Sequence, residues 1–239
     1  MTHSTRVSRL SFYATPPHAC SYIEGRDAVT LFADPRFPKS NALYAALSER
    51  GFRRSGEHLY QPHCPECNAC VPIRVPVAEF MPRRQQRRNW RQNRDLNVEI
   101  KRPVFESAHF ELYRRYIAAR HPGGGMDNPT PDNYMNFLTA SWSDTRFIEF
   151  REQDRLLAVA VTDRMPNALS AVYTFFDPDS SHRSPGRYAI LYQIELARQT
   201  GRDWLYLGYW IESCRKMSYK TEYQPLEYYR GGEWRRDPA

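Results

Sequence analysis

Three cysteines, Cys64, Cys67 and Cys70, stand in the run HCPECNAC at C-x2-C-x2-C spacing, with Cys20 upstream as a fourth soft ligand. Thiolates at such intervals on a turn can converge on one ion, and four of them make a closed tetrahedral zinc site or hold an iron-sulfur cluster. His63 is able to replace one of them. The fifth, Cys214, is remote in sequence and is expected to be a buried small hydrophobe. A second kind of chemistry is carried by charge. The chain has 34 Lys and Arg against 27 Asp and Glu, and the excess is concentrated between positions 83 and 94, RRQQRRNWRQNR, with six arginines, one tryptophan and no acid. Arginine forks around an aromatic ring suit phosphates and bases, so a polyanion is the expected partner, against the alternative of a solvated helix face.

A third constellation lies late in the chain. Arg183, Ser184, Pro185, Gly186, Arg187 and Tyr188 fall between a strand pattern and a helix pattern, and they match the R-x-x-G-x-(small) phosphate loop of acyl-coenzyme A acetyltransferases except for the bulky Tyr188. Glycine there lets an anion approach backbone N–H groups at a helix start. Tyr188 is expected to crowd the pyrophosphate, so coenzyme A is not expected. Lys216 and Lys220 follow in CRKMSYK; at i and i+4 of a helix they share a face, and an anionic partner would explain the repulsion.

These residues need elements to position them. Residues 27 to 33 read as a strand, and Ser40 caps a helix running to Arg50 and stopped by Gly51. VPIRVPV at 71 to 77 alternates as a strand, and its two prolines predict an edge position. A basic helix and a strand at 96 to 100 follow. Apolar residues recur at helical spacing from Ser107 until His121, Pro122 and the glycines 123 to 125 end the helix. Strands are expected at 146 to 151, 156 to 163 and 170 to 176, then a helix at 186 to 199 closed by Gly201, then a strand at 204 to 207. The fold class expected is α+β: an acetyltransferase-like (GNAT-type) domain at 103 to 239 and a smaller cysteine-bearing N-terminal α+β domain at 1 to 102. No apolar run reaches the length of a membrane span, and the first residues lack the apolar centre of a signal peptide, so a cytoplasmic protein without a membrane partner is expected.

Long segments of the chain resemble the bacterial aminoacyl-tRNA:protein transferases, the aspartate/glutamate leucyltransferases related to eukaryotic arginyl-tRNA:protein transferases. The resemblance runs through PHACSYIEGRDAVTLFADP, FRRSGEHLYQPHCPECNACVPIRVPVAEF, QQRRNWRQN, RHPGGGMDNP, LSAVYTFFDPD and YLGYWIESCRKMSYK. It implies an acetyltransferase-like second domain that takes aminoacyl-tRNA as co-substrate in place of acetyl-coenzyme A. It also implies acceptor proteins beginning with Asp or Glu, and a place in N-end-rule degradation. An acidic acceptor calls for cations, and Arg87, Arg88, Lys216 and Lys220 are the candidates, with Arg183 and Gly186 on the loop. Tyr173, Tyr209 and Tyr219 are the candidate hydroxyl donors near the ester. The prokaryotic form of the resemblance favours leucine as the group moved; an arginyl pocket would need a buried acid, for which Glu195 and Glu212 stand available. An ordinary acetyltransferase would leave the cysteines and arginines without purpose, and an RNA-binding metal knuckle would leave the strand-loop-helix unused.

Overall fold

A computed structural model describes residues 10 to 123 and 127 to 236. In chain order the strands and helices are β1 (Phe12–Ala14), β2 (His18–Ala19), β3 (Asp27–Ala28), β4 (Thr30–Ala33), α1 (Asn41–Ser48), β5 (Arg53–Ser55), β6 (His58–Pro62), β7 (Val71–Pro76), α2 (Arg84–Gln92), β8 (Asn97–Lys101), α3 (Ser107–Arg120), α4 (Pro131–Leu138), β9 (Thr145–Glu152), β10 (Arg155–Arg164), β11 (Ala168–Phe176), α5 (Pro185–Gln199), β12 (Trp204–Trp210), β13 (Glu227–Arg230) and β14 (Glu233–Arg235). Local chemistry sets several of these limits. Ser40 accepts a hydrogen bond from Leu43 N–H at the start of α1, and Gly51, at φ +83°, turns the chain after it. Thr130 caps α4 in the same way, with Pro131 in the first turn.

Eight strands form one mixed sheet in the order β14-β13-β7-β12-β11-β10-β9-β8, in which β11 and β12 run parallel and the other pairs antiparallel. Its central strand β10 is apolar on both sides, as period-two alternation requires of a strand covered twice. Val159 and Val161 pack with Phe147, Phe175, and with Leu112, Tyr113 and Ile117 of α3. Ala158 and Ala160 face Tyr188 and Ala189 of α5. The small alanines let α5 approach closely, and the larger side chains fill the α3 and α4 side.

The expected division after residue 102 runs through this sheet. β7 pairs with β12 and β13, and β8 pairs with β9, because Val71, Ile73 and Val75 are as apolar as the strands beside them and are buried among them. β7 is therefore interior, not at an edge. Its prolines are accommodated because β13 pairs only with Ile73 and Arg74, leaving Pro72 and Pro76 outside that ladder. What remains of the first segment is a four-stranded antiparallel sheet, β1-β4-β6-β5, and the ribbon β2-β3. Arg54 of β5 ties this sheet to β10. Its Nε and Nη2 lie 2.7 and 2.9 Å from the Asp163 oxygens, both side chains are fully buried, and Thr145 Oγ1 and the Leu138 carbonyl complete the set. Of the expected glycine loop, Gly124 and Gly125 lie outside the described residues, as do the first nine residues.

Candidate active site and polyanion face

The parallel pair β11 and β12 is bonded only from Ala168–Ser170 to Trp204–Tyr206. Beyond that the two strands part. β12 shifts register against β7 between Tyr206 and Gly208, and Gly208 holds φ +82°, a conformation that glycine adopts without the penalty of a Cβ. Main-chain groups from Ala171 and Leu207 onward are thus released from the ladder at the middle of a sheet, where a ligand can take them up.

Two cations enter this opening. Arg53, only 7% exposed, donates from Nη2 to the Ala171 carbonyl at 3.2 Å, and its Nη1 is buried without a partner. Lys220 donates from Nζ to the Tyr209 carbonyl at 2.6 Å. Burial, aided by Arg53 and opposed by Cys214, lowers the Lys220 ammonium to about 7. Around the same opening Tyr173 lies in a cage of rings with Tyr113, Tyr116 and Phe137, and its buried hydroxyl has no partner. Burial and the neighbouring Tyr116, Tyr113 and Tyr219 push its phenol well up, so it stays a neutral hydroxyl. Tyr219 is 37% exposed, and Lys216, also exposed, faces His121, whose imidazole is lowered by burial, Lys216 and Arg120.

The structure thus brings Tyr173 and Tyr219 near one another, sets Lys220 beside Arg53, and leaves Lys216 on the outer side by His121. Tyr209 is elsewhere engaged: its hydroxyl donates to the Gly51 and Tyr60 carbonyls at 3.0 and 3.2 Å and fastens β12 to the small sheet. Arg183 is likewise structural, since its guanidinium donates to the Gln92 carbonyl, Asp95 and Glu152. Gly186 serves packing, because a Cβ there would stand 3.0 Å from the Phe176 ring. Tyr188 does not crowd the loop; it is 4% exposed and packs inward on Trp90 and Phe150. Arg53 was missed by sequence reasoning; its place two residues after the helix-stopping Gly51 gave no sign that the β5 strand points it into the large sheet.

Helix α2 divides by face. Gln86, Asn89 and Asn93 turn inward, with Trp90 half-buried, whereas Arg84, Arg87, Arg88, Arg91 and Arg94 are exposed, and no carboxylate of the described residues pairs with them. Gln92 joins Arg88, Arg91 and Arg94 in lining an open, shallow depression of about 440 Å³. Arg87 and Arg88 therefore belong to this face and not to the strand opening.

Cys64, Cys67 and Cys70 occupy the β6–β7 connection, and Cys20 follows β2. Cys64 Sγ accepts the Val29 N–H at 3.4 Å, and Cys70 lies near enough to Cys20, Cys64 and Cys67 for burial and these three sulfurs to push its thiol up to about 12. Neutral thiols crowd poorly as anions, and a bound cation would remove that repulsion. Cys214 is not a remote core residue. It is half-buried and, with Cys20 and Cys70, borders Tyr22. His63 contributes its backbone N–H to the Val29 carbonyl and exposes its ring. A further acidic cluster, Glu106, His109 and Glu149, gathers ligand atoms within 4.8 Å of one another. Lys101 Nζ already sits 2.8 Å from Glu149 and 3.5 Å from Glu106, so an ammonium holds the place a metal would take. Glu195 bonds Arg198 and Gln199, and Glu212 is exposed; neither is a buried acid.

Comparison with known proteins sets these features in a family. Residues 18 to 88 match the family described as arginine-tRNA-protein transferase, N terminus, and residues 108 to 230 match its C terminus. The aspartate/glutamate leucyltransferases of Pseudomonas fluorescens (strain Pf0-1) and Pseudomonas aeruginosa (strain LESB58) are each 54% identical over 230 residues, covering 96% of this chain and 98% of theirs. Among solved structures the crystal structure of FemX gives a TM-score of 0.49 at 10% identity over 89% of this chain and 84% of that one. Matched at both of its ends and over nearly its whole length, the chain belongs to the arginine-tRNA-protein transferase family and is an aminoacyltransferase.

Proposed function

We propose that the protein transfers leucine from leucyl-tRNA to the N-terminal Asp or Glu of acceptor proteins. The observation that carries this reading is the 54% identity, over 96% of the chain, to relatives named aspartate/glutamate leucyltransferase. The geometry supports it. An aminoacyl ester is already activated, and an α-amine with a pKa of about 8 is substantially neutral near pH 7.5, so positioning and charge stabilisation do most of the work. The amine nitrogen bonds to the ester carbonyl carbon, the C–O bond to the tRNA ribose breaks, and the proton lost by nitrogen ends on the released ribose hydroxyl. Tyr173 offers a neutral hydroxyl without a partner at the strand opening, suited to the tetrahedral oxygen. The parting of β11 and β12 beside a helix start supports an acetyltransferase-like reading of this half. The exposed arginines of α2 suit the tRNA backbone.

Leucine is favoured over arginine because neither Glu195 nor Glu212 is buried as an arginyl pocket requires. Cys20, Cys64, Cys67 and Cys70 are the residues to hold a metal centre. Four thiolates suit either a tetrahedral zinc ion or an iron-sulfur cluster, and metal analysis with visible absorption of protein purified without oxygen separates the two. The test is incubation of the pure protein with leucyl-tRNA or arginyl-tRNA and peptides beginning with Asp, Glu or Ala, scored by peptide mass. Leucine added to the acidic peptides alone is expected. Arginine added instead, or acetylation from acetyl-coenzyme A with no tRNA-dependent product, overturns the reading.

A further inference from the structure

Arg53 and Lys220 pose a problem of charge. Both place a basic nitrogen at the strand opening, and no carboxylate of the described residues lies within 4.0 Å of either. Elsewhere the protein treats such cations differently: the neighbouring Arg54 is paired with Asp163, and Arg74 with Glu49 and Glu227. A desolvated cation without a counter-ion costs several kcal/mol, roughly, and the cost persists only where an anion arrives from outside. Arg53 Nη1 is buried with nothing to donate to.

The space in front of these groups belongs to Gly208. A Cβ built on Gly208 would have as its nearest atoms Lys220 Nζ at 3.6 Å and Arg53 Nε and Nη2 at 3.7 Å. Both cations therefore face one point on β12, and that point is kept clear of side chain. Each is oriented by a carbonyl on one of the two parted strands: Arg53 by Ala171 on β11 and Lys220 by Tyr209 on β12. The other titratable groups near Lys220 are Cys214, from the loop after β12, and Arg53 itself.

We propose that Arg53 and Lys220, converging over Gly208 where β11 and β12 part, receive the side-chain carboxylate of the acceptor's N-terminal Asp or Glu. The proposal rests on the transfer reaction assigned above and names the groups that select its substrate. A carboxylate presents two oxygens, which suit one guanidinium N–H and one ammonium, and the amide of Asn would bring an NH2 group against a cation. The acceptor α-amine is then held a few bonds away from this pair of cations. Lys216 and the α2 arginines, both exposed, take no part in this selection.

The deciding measurement is kcat/KM for two peptides differing only in Asp or Asn at the first position, at saturating leucyl-tRNA, for the parent and for Arg53→Gln, Arg53→Lys and Lys220→Met. The Asp-to-Asn ratio should fall about 10- to 100-fold in Arg53→Gln and in Lys220→Met, the loss of one hydrogen bond to a charged group, and Arg53→Lys should retain part of it. An unchanged ratio in Arg53→Gln and Lys220→Met overturns the pocket, and so does an equal fall in kcat for both peptides, which would assign these cations to the reacting ester. The parent itself supplies a second measurement should a variant fail to fold. Calorimetry should show the Asp peptide bound about 10- to 100-fold more tightly than the Asn peptide, and equal affinities overturn the proposal. Transfer by the parent to neither peptide would remove the leucyltransferase reading instead of the pocket alone.

Discussion

Neutralising the exposed face of α2 gives a magnitude that can be worked out in advance. Arg84, Arg87, Arg88 and Arg91 stand at i, i+3, i+4 and i+7, so they form one stripe, all exposed and none with an acidic partner among the described residues. Each phosphate contact releases counter-ions and contributes about 0.9 to the slope of log K against log salt on a duplex. If all four reach phosphates, replacing them with glutamine should lower the magnitude of that slope by about 3 to 4. At about 0.1 M salt the same contacts account for three to four decades of affinity, roughly 5 kcal/mol. Single variants should each change the slope by about one unit. The fold should survive, because Gln86, Asn89 and Asn93 make the inward contacts, to the Glu222 and Arg183 carbonyls. The assay is filter binding of leucyl-tRNA at a series of salt concentrations, with circular dichroism as the control. A fourfold variant with the parent's salt slope would show that the tRNA docks elsewhere and that the stripe is a solvated face.

Glu149 carries an acid-stability prediction. Burial alone would raise its carboxyl, but Lys101, Arg151 and His109 outweigh burial and hold it down at about 2. A depressed carboxyl stabilises the fold above its unfolded value of 4.5 and loses that contribution as pH falls from 4.5 to about 2, here about 3 kcal/mol; urea midpoints should drop through that window in the parent and much less in Glu149→Gln. Arg54→Ala should cost about 3 to 5 kcal/mol by leaving Asp163 buried and unpaired, whereas Arg54→Met with Asp163→Leu should cost markedly less; a thermal or urea series on the two variants decides it. Cys64→Ser with Cys67→Ser should abolish the bound metal, zinc or iron, in protein purified without oxygen, and metal content equal to the parent's would exclude these ligands.

The second half of the fold was legible because its elements are long and each obeys one period: the helix ending at Gly201 and the three strands before it were recovered to within a residue or two. Short elements were not. α4 is eight residues with little apolar stripe, and β1, β5 and β14 have three residues each, too few to show alternation. The edge assignment of VPIRVPV failed because a proline forbids only the hydrogen bond its own nitrogen would make, and a partner that pairs with two residues can avoid both prolines. Among the candidate site residues, Lys216 and Lys220 were proposed from their nearness in sequence to the end of the core strand. Arg53 was not, since its role depends on contacts across 118 residues with Ala171. Tyr209 and Arg183 were misread for the converse reason: polar groups at suggestive places in the sequence already had structural partners.

The hydrogen bonds that hold α2 also tie its exposed arginine face to the segment beside the sheet opening. Gln86 donates to the Glu222 carbonyl, at the end of the 3-10 segment Arg215–Glu222 that carries Lys216, Tyr219 and Lys220. Asn89 and Asn93 both donate to the Arg183 carbonyl just before α5, and Arg187 on α5 returns to Glu222 through its guanidinium. The arginine-faced helix and the segment that bears Lys220 therefore share two anchors, Glu222 and the α5 entrance. All three inward groups, Gln86, Asn89 and Asn93, are side chains buried on the side opposite the arginines. On the proposed reading, a phosphate backbone bound on one side of α2 would be held relative to Lys220 on the other, with the transfer geometry set by the folded chain before the acceptor arrives.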